Sequence, residues 1–329
     1  MQRQLMDDQD LSGLVRDALG AGRRVVAVDR LRGGSRKGVY RVRLDGGRTP
    51  SVIVYNWAAT ESFWPGARET DPADPFTPAS GLVPFLAARR SLDGLGARVP
   101  RVLLTDDTRR RFPADVAVVE DIPGGTLEAL FETDPGRAAQ SLARLAETVE
   151  VMHRHPGDRY GRVDLLERHR PGSEVPCERR VLDRALRDLE EAAGRDGRIA
   201  AAEAALRDRL RELADRVDLR RRYGLIHGEL GPDHVLVDAD RHPVLIDIEG
   251  LMYFDVEWEH VFLRLRFGGH YTALARPGLD PRRLDLYALA MRLSLVAGPL
   301  RLLDGDFPDR AFLKRIAEHN TGAALALLP

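Results

Sequence analysis

The sequence predicts an α+β protein, with a small lobe of five antiparallel strands followed by a mostly helical lobe. Strand patterns lie early in the chain, at 24–28, 39–44, 51–55, 101–105 and 115–120. Helical periodicity dominates later, at 136–153, 178–193 and 198–217. Because strands and helices are segregated along the chain and do not alternate, an α+β arrangement is favoured over a parallel βαβ one.

Composition narrows the class of protein. The chain has 329 residues with 43% hydrophobic and 31% charged residues, which is typical of a globular protein large enough for two lobes. The net charge of −1 gives no electrostatic case for nucleic acid or an anionic membrane as partner. The N-terminus lacks the basic and apolar regions of a signal peptide, and the single Cys177 fits a reducing compartment. We therefore expect a cytoplasmic protein.

A glycine-rich loop separates the first two predicted strands. It contains Gly33, Gly34, Ser35 and Lys37. Neither a G-K-[ST] sequence nor a following helix is present, which excludes a Walker A loop, and the strand that follows excludes a dinucleotide fingerprint. The loop is informative through its position at the first hairpin. Lys37 is one of only two lysines among 50 basic residues.

A second break in the pattern lies at 121–125, where Asp-Ile-Pro-Gly-Gly follows the fifth strand. We interpret it as a hinge, which predicts a first lobe of residues 1–121 and a second lobe of residues 122–329.

The densest cluster of reactive side chains lies between residues 227 and 249. A predicted strand ends at His227, and the loop after it presents Glu229 and His234. A short hairpin then returns the chain to Asp247 and Glu249. Phosphoryl transfer requires one group that orients the attacking hydroxyl and others that hold magnesium on the phosphates. The loop at 227–234 alone, or the segment at 246–249 alone, would fit a polar turn between buried strands equally well. The two segments together, after the glycine-rich hairpin and the hinge, favour phosphoryl transfer.

This segment resembles the aminoglycoside/macrolide phosphotransferase family, which has a protein-kinase-like fold. The family's catalytic loop reads H-G-D-L-x-x-x-N/H and is followed by I-D-x-D/E, and here the corresponding residues are 227–234 and 246–249. The resemblance implies that Glu229 is the catalytic carboxylate and that His227 supports the loop more than it acts as a base. It also implies that His234, Asp247 and Glu249 are metal ligands.

For the nucleotide, the resemblance implies that the backbone near Glu120 and Ile122 meets the adenine and that the glycine-rich loop covers the phosphates. Further along the chain, Asp255 and Glu259 match acidic residues that buttress the catalytic loop and begin a helix, with Asp255 a candidate N-cap.

Three residues depart from the family pattern. Glu229 stands where the family has aspartate, and His234 replaces the commoner asparagine. Tyr55 stands where the third strand carries the lysine that neutralises the phosphates, and the helix predicted at 81–92 contains no glutamate to pair with such a lysine. Lys37 is therefore a candidate substitute, although a solvated loop cation explains it equally well.

The resemblance implies a phosphotransferase that uses ATP, or GTP, and Mg²⁺ to phosphorylate a hydroxyl of a small molecule, either an antibiotic or a metabolite. The alternative is a nucleotide-binding pseudokinase, favoured by Glu229 and by the missing strand lysine. Protein phosphorylation is disfavoured because no activation loop separates Asp247 from the following helix.

Overall fold

The chain divides into two compact units in a computed structural model that describes residues 6, 8–31, 35–46, 49–65, 74–110, 112–168 and 175–329. The first unit comprises Met1–Trp64, Pro78–Arg144 and Asp233–Glu249, and the second comprises Pro65–Thr77, Leu145–Pro232 and Gly250–Pro329. The lobe boundary after residue 121 stays a prediction, and residues 122–144 and 233–249 belong to the first compact unit.

The secondary structure begins with the elements that build most of the first unit. In chain order they are α1 (Asp8–Leu19), β1 (Arg24–Arg30), β2 (Gly38–Asp45), β3 (Ser51–Asn56), α2 (Leu82–Gly94), β4 (Val102–Asp106), β5 (Val116–Glu120) and α3 (Leu127–Thr133). The elements that follow are α4 (Pro135–Arg154), β6 (Pro156–Gly157), β7 (Gly161–Arg162), α5 (Val163–Glu167), α6 (Cys177–Ala193), α7 (Gly197–Asp215), β8 (Tyr223–Ile226), β9 (Val235–Val237), β10 (Pro243–Leu245), β11 (Met252–Phe254), α8 (Val256–Phe267), α9 (Pro281–Leu302) and α10 (Arg310–Leu325).

The first unit contains the five-stranded antiparallel sheet that the sequence predicts. Its strands lie in the order β1-β2-β3-β5-β4. Side chains alternate across a strand, so Tyr40 and Val42 of β2 face a core shared with Leu14 and Val15 of α1. Val39 and its cross-strand partner Tyr55 on β3 therefore lie on the opposite face. The predicted fold class is confirmed, and on the other face of the sheet Tyr55 packs against Phe85 of α2.

A buried carboxylate, Glu61, fixes the start of β2. It is fully buried and accepts hydrogen bonds from Arg30 (2.8 Å), Asn56 (3.3 Å) and the hydroxyl of Tyr40. A Cβ atom added at Gly38 would lie 2.5 Å from the carboxyl carbon of Glu61. Glycine at this position therefore follows from close packing and not from an unusual backbone angle.

We expect Gly38→Ala to destabilise the first unit by about 1–3 kcal/mol, because either Glu61 or the strand must move to admit the methyl group. The measurement is equilibrium urea unfolding. Gly22→Ala is the matched control, since nothing lies within 4 Å of the added Cβ there. Equal stability of the two variants would contradict the packing explanation.

The predicted hinge packs against the hairpin formed by β9 and β10 within the first unit. A Cβ atom added at Gly124 would lie 1.8 Å from the carbonyl oxygen of Val237, so only glycine permits this approach. The N–H of Val237 donates to the carbonyl oxygen of Gly125 at 3.0 Å. The hinge backbone and the hairpin are thus joined directly, an arrangement that the sequence pattern did not indicate.

The second unit consists of helices around a small sheet with strand order β6-β8-β11-β7. Strand β8 ends at Ile226, directly before His227, and β11 pairs with it. Helix α9 packs against α6 and α10 in a core that includes Leu189, Leu206 and Tyr287. Strand β11 was not predicted, because three residues are too few to show a period.

Asp255 lies at the predicted N-cap position of α8, but its side chain caps no helical N–H. It is fully buried and accepts from the hydroxyl of Tyr287 (2.5 Å) and from the guanidinium of Arg283. The charge of Arg283 compensates this buried carboxylate, so Asp255 anchors helix α9. Across the described ranges, none of the helices has both the length and the apolar character needed to cross a membrane.

Candidate active site

Asp247 follows the β9–β10 hairpin and lies beside His234. The N–H of Ile246 donates to the carbonyl oxygen of His234 at 3.0 Å, which closes the base of the hairpin. Nε2 of His234 lies 3.7 Å from Oδ2 of Asp247. The hairpin therefore brings together two of the three residues predicted as metal ligands.

The backbone of Asp247 is left-handed, with φ of 59°. Asparagine and aspartate tolerate this region better than other non-glycine residues, but it remains uncommon. The side chain is 46% exposed. A carboxylate placed by an uncommon backbone angle and open to solvent is typical of a functional position.

Lys37 forms an ion pair with this carboxylate. Its Nζ lies 2.9 Å from Oδ1 of Asp247 and 2.5 Å from Oε1 of Glu249. Nζ also lies 4.9 Å from the ring centroid of Tyr55, on the face of the sheet that carries Val39. Lys37 is only 7% exposed, so it is not the solvated loop cation that was one of its two interpretations.

Burial alone would lower the pKa of Lys37, but the charges of Asp247 and Glu249 outweigh it and hold the pKa well above its ordinary value. Burial has the opposite effect on an acidic group, and it raises the pKa of the Tyr55 hydroxyl to about 12. Lys37 is therefore a permanent buried cation, and Tyr55 is a neutral surface against which it packs.

The side chain of Glu249 points into the protein interior. It is 5% exposed, and its Oε1 accepts from Lys37 and from the indole N–H of Trp57 at 3.2 Å. It forms no compact three-residue group with His234 and Asp247. Within the described ranges such a group occurs at Asp238, Asp240 and His242, where Asp238 already binds Arg98 at 3.0 Å.

His227 and Glu229 belong to the second unit, where the loop after β8 is held by Glu259. The buried carboxylate of Glu259 accepts the N–H groups of His227 (2.6 Å), Gly228 (3.1 Å) and Leu230 (3.4 Å). The side chain of His227 is buried, whereas Glu229 is exposed between these anchored residues. Burial alone would raise the pKa of Glu259, but the nearby imidazoles of His153 and His227 and the N–H of His227 hold it below its usual range.

His260 lies next to this carboxylate and is fully buried. Its ring centroid is 5.1 Å from that of His153, and its Nδ1 is 3.1 Å from the hydroxyl of Tyr271. Burial, together with the nearby His153, lowers the pKa of His260 to about 3.

Since this value is below the ~6.5 of an unfolded histidine, the unfolded chain binds the extra proton between those two pH values. The contribution of His260 to stability is complete above pH ~6.5 and falls with decreasing pH, by at most ~1.4 kcal/mol per pH unit. We expect His260→Asn to flatten the decline of the urea midpoint between pH 6.5 and 4.5. Identical slopes in wild type and variant would contradict this expectation.

The predicted nucleotide-binding positions belong to the first unit. Gly33 and Gly34 lie outside the described residues. The hydroxyl of Ser35 accepts from the indole N–H of Trp64 at 3.1 Å, and the carbonyl oxygen of Ser35 accepts from the N–H of Phe63 at 2.8 Å. The segment after β3 therefore holds Ser35 in place.

The segment predicted as the hinge is anchored through its side chains. Glu120 pairs with Arg98 at 3.2 Å, and Asp121 accepts from Arg41 (2.8 Å) and Ser51 (2.6 Å). Ile122 is buried at its side chain, and its backbone groups form no hydrogen bond to other backbone within the described part of the chain.

The family model for the phosphotransferase enzyme family matches residues 20–290, which include the five-stranded sheet, the loop after β8 and Asp247. The chain belongs to this family. No curated protein sequence matches it.

Three solved structures share the fold of this chain. Aminoglycoside phosphotransferase APH(4)-Ia aligns with a TM-score of 0.61 at 17% identity, covering 96% of this chain and 99% of that one. The GDP and kanamycin complex of APH(2")-IIia aligns with a TM-score of 0.60 at 18% identity, covering 95% and 98%. LicA in complex with AMP aligns with a TM-score of 0.59 at 14% identity, covering 97% and 98%. The kinase-like fold of this phosphotransferase is thereby confirmed.

Sequence reasoning did not connect Trp57 with the segment 227–249. Its ring packs against that of Phe85, with the centroids 5.6 Å apart. The contact of Trp57 with Glu249 joins residues 192 positions apart, and no local pattern encodes such a distance. Trp57 follows the Tyr55 position by two residues, and this was the only available signal.

Proposed function

We propose that this phosphotransferase is an ATP- and Mg²⁺-dependent kinase that phosphorylates a hydroxyl group of a small molecule, with GTP as an alternative donor. The proposal depends chiefly on Asp247, an exposed carboxylate held in a left-handed conformation beside His234 and Lys37. Family membership supports the transfer chemistry. The GDP and AMP complexes among the similar structures support nucleotide binding. Use of ATP agrees with the cytoplasmic location expected from the sequence.

The donor set near Asp247 fits a magnesium ion. Asp247 offers a carboxylate that is 46% exposed, and His234 offers an imidazole that is 23% exposed. Because Mg²⁺ prefers oxygen ligands and retains several waters, Asp247 would be the main protein ligand and His234 a secondary one. A bound ion would neutralise charge on the phosphates.

The remaining residues bind the nucleotide and orient the acceptor. The backbone near Glu120 and Ile122 would contact the adenine, and Gly33, Gly34, Ser35 and Lys37 would cover the phosphates. Tyr55 would support Lys37 through its ring.

Glu229 would accept the proton of the substrate hydroxyl. As the hydroxyl oxygen bonds to the γ-phosphorus, the bond between that phosphorus and the β–γ bridging oxygen breaks, and the nucleoside diphosphate departs. The extra methylene of glutamate relative to aspartate moves the carboxylate by ~1.5 Å, so the acceptor site must differ correspondingly from that of an aspartate enzyme.

The acceptor is tested by measuring nucleoside diphosphate formation with ATP or GTP and a panel of aminoglycosides, macrolides, nucleosides and sugars. Aminoglycosides belong in the panel because kanamycin is bound in one similar structure. We expect one compound to stimulate turnover well above the acceptor-free rate and to yield a phosphorylated product by mass spectrometry. Absence of acceptor-dependent product across these classes would count against the proposal.

A nucleotide-binding pseudokinase is the second candidate, favoured by the ammonium of Lys37 lying against Asp247, where it compensates the charge of the main metal-binding group. Thermal stabilisation by ATP distinguishes the two candidates. A kinase requires Mg²⁺ for full stabilisation, whereas stabilisation that is the same with and without Mg²⁺ would indicate the pseudokinase.

A further inference from the structure

The lysine–glutamate pair usual for this fold has no equivalent on β3 and α2. Tyr55 takes the lysine position, and α2 contains no glutamate but contributes Phe85. The rings of Tyr55 and Phe85 lie 5.6 Å apart in an edge-to-face arrangement, and Trp57 lies 5.9 Å from Tyr55. An aromatic cluster of Tyr55, Trp57 and Phe85 thus occupies this region of the first unit.

Lys37 and Glu249 form an ion pair next to this cluster. Lys37 packs over Tyr55 at 4.9 Å, and its ammonium is bound by Glu249 at 2.5 Å. The same oxygen of Glu249 accepts from Trp57 at 3.2 Å. The cluster therefore supports both members of the pair, one through a ring face and the other through an indole N–H.

The two carboxylates around Lys37 differ in exposure. The side chain of Asp247 is 46% exposed and that of Glu249 is 6% exposed. Oε2 of Glu249 is buried and accepts no hydrogen bond within the described residues. An ion arriving from solvent can reach Asp247 directly, whereas Glu249 has one oxygen engaged by two donors and the other enclosed by protein.

We propose that Glu249 is a positioning residue that holds Lys37 for the nucleotide phosphates, and that it is not a metal ligand. This role depends on the proposed phosphotransferase function. A buried ammonium without a counter-charge is strongly destabilised, so some carboxylate must stay with Lys37 when Asp247 engages a metal. Glu249 is placed to do so. The pair Lys37–Glu249 thereby replaces the strand lysine and helix glutamate within the same unit.

A double-mutant cycle with Lys37→Met and Glu249→Gln tests the pair. We expect each single variant to raise the ATP dissociation constant by about tenfold in the presence of Mg²⁺, and the double variant to be no weaker than the weaker single variant. Lys314→Met, which removes the other lysine, is the control and should bind as wild type does. Effects that multiply in the double variant would overturn the proposal.

Metal affinity separates the two roles of the carboxylates. Titration with Mn²⁺ followed by electron paramagnetic resonance should give Glu249→Gln a dissociation constant within about twofold of wild type, because its role is toward Lys37. Asp247→Asn should lose at least tenfold. A tenfold loss in Glu249→Gln would identify Glu249 as a metal ligand and end the proposal.

Second-site rescue adds a result that a purely structural role would not produce. Tyr55→Lys introduces an ammonium at the strand position and should restore ATP affinity to Lys37→Met when Glu249 is present, but not in the Glu249→Gln background. Rescue that is independent of Glu249 would contradict the pairing.

The unliganded protein distinguishes failure of this inference from failure of the proposed function. If wild type binds no nucleotide, the function fails, yet thermal unfolding still reports the pair. Each single variant should lower the melting temperature, and the double variant should melt no lower than the less stable single variant. Additive losses would show that Lys37 and Glu249 do not act together.

Discussion

Asp247→Asn is expected to lower phosphoryl transfer about 1000-fold while leaving the protein folded. The loss follows from removing the negative charge that would hold the metal against the phosphates, a contribution of the size found for other groups that stabilise transition-state charge. The protein should stay folded, because the side chain is 46% exposed, asparagine adopts the left-handed backbone of φ 59° readily, and Glu249 remains as a counter-charge for Lys37. The measurement is kcat with the identified acceptor, alongside thermal unfolding.

Asp240→Asn is the matched control for this variant. Asp240 is an exposed aspartate on the turn of the same hairpin, so its replacement makes the same chemical change without touching the site. We expect its turnover to equal that of wild type. If Asp247→Asn retained turnover within a few-fold, the assignment of Asp247 as the main metal ligand would be wrong.

Glu259→Ala is expected to destabilise the second unit by about 3–5 kcal/mol and to abolish activity. The substitution leaves the N–H groups of His227, Gly228 and Leu230 buried without their acceptor, and each unsatisfied buried donor costs about 1–3 kcal/mol. The catalytic loop should then lose its order, although Glu229 itself is unchanged. Urea unfolding and hydrogen exchange of these three amides measure the two effects.

Glu318→Ala is the control for Glu259→Ala. Its carboxylate is 67% exposed and pairs with Arg198 on the surface, where such pairs contribute little. Its stability should stay within about 0.5 kcal/mol of wild type. Unchanged amide exchange in Glu259→Ala would show that the loop is ordered by other contacts.

The ionisation of Glu259 also predicts that the loop after β8 depends on this carboxylate. Its pKa in the folded protein is held below the usual value, so its stabilising effect is complete above the pKa of the unfolded chain and declines as pH falls through the folded pKa. Acid should therefore loosen the catalytic loop.

The sheet could be predicted because its strands carry their own signal. In β2 the buried Tyr40, Val42 and Leu44 alternate with charged residues, and this period of two is visible in the sequence. The pairing of β8 with β11 could not be predicted in the same way. Strand β11 is three residues long, and its partner lies 26 residues earlier, at Ile226.

In the candidate site, likewise, some residues could be predicted from the sequence and their contacts could not. His234 and Asp247 were identifiable because they match local sequence motifs. Lys37 was identifiable because the strand lysine of the family is missing at Tyr55. The partnership of Lys37 with Glu249 joins residues 212 positions apart and depends on burial, which no motif records. The sequence shows that the strand lysine is missing. Only packing shows which carboxylate holds its substitute.

The discontinuity of the first unit has a consequence for how the protein is made. Residues 233–249 supply the β9–β10 hairpin and Asp247, but they emerge from the ribosome only after the 88 residues of Leu145–Pro232 have been synthesised. The sheet and α2 can form earlier, before Asp247 and Glu249 are available to pair with Lys37. Closing so long a loop is entropically costly, so the nucleotide site should be among the last parts of this unit to assemble during translation. A nascent chain stalled at residue 232 should therefore contain the sheet without the site.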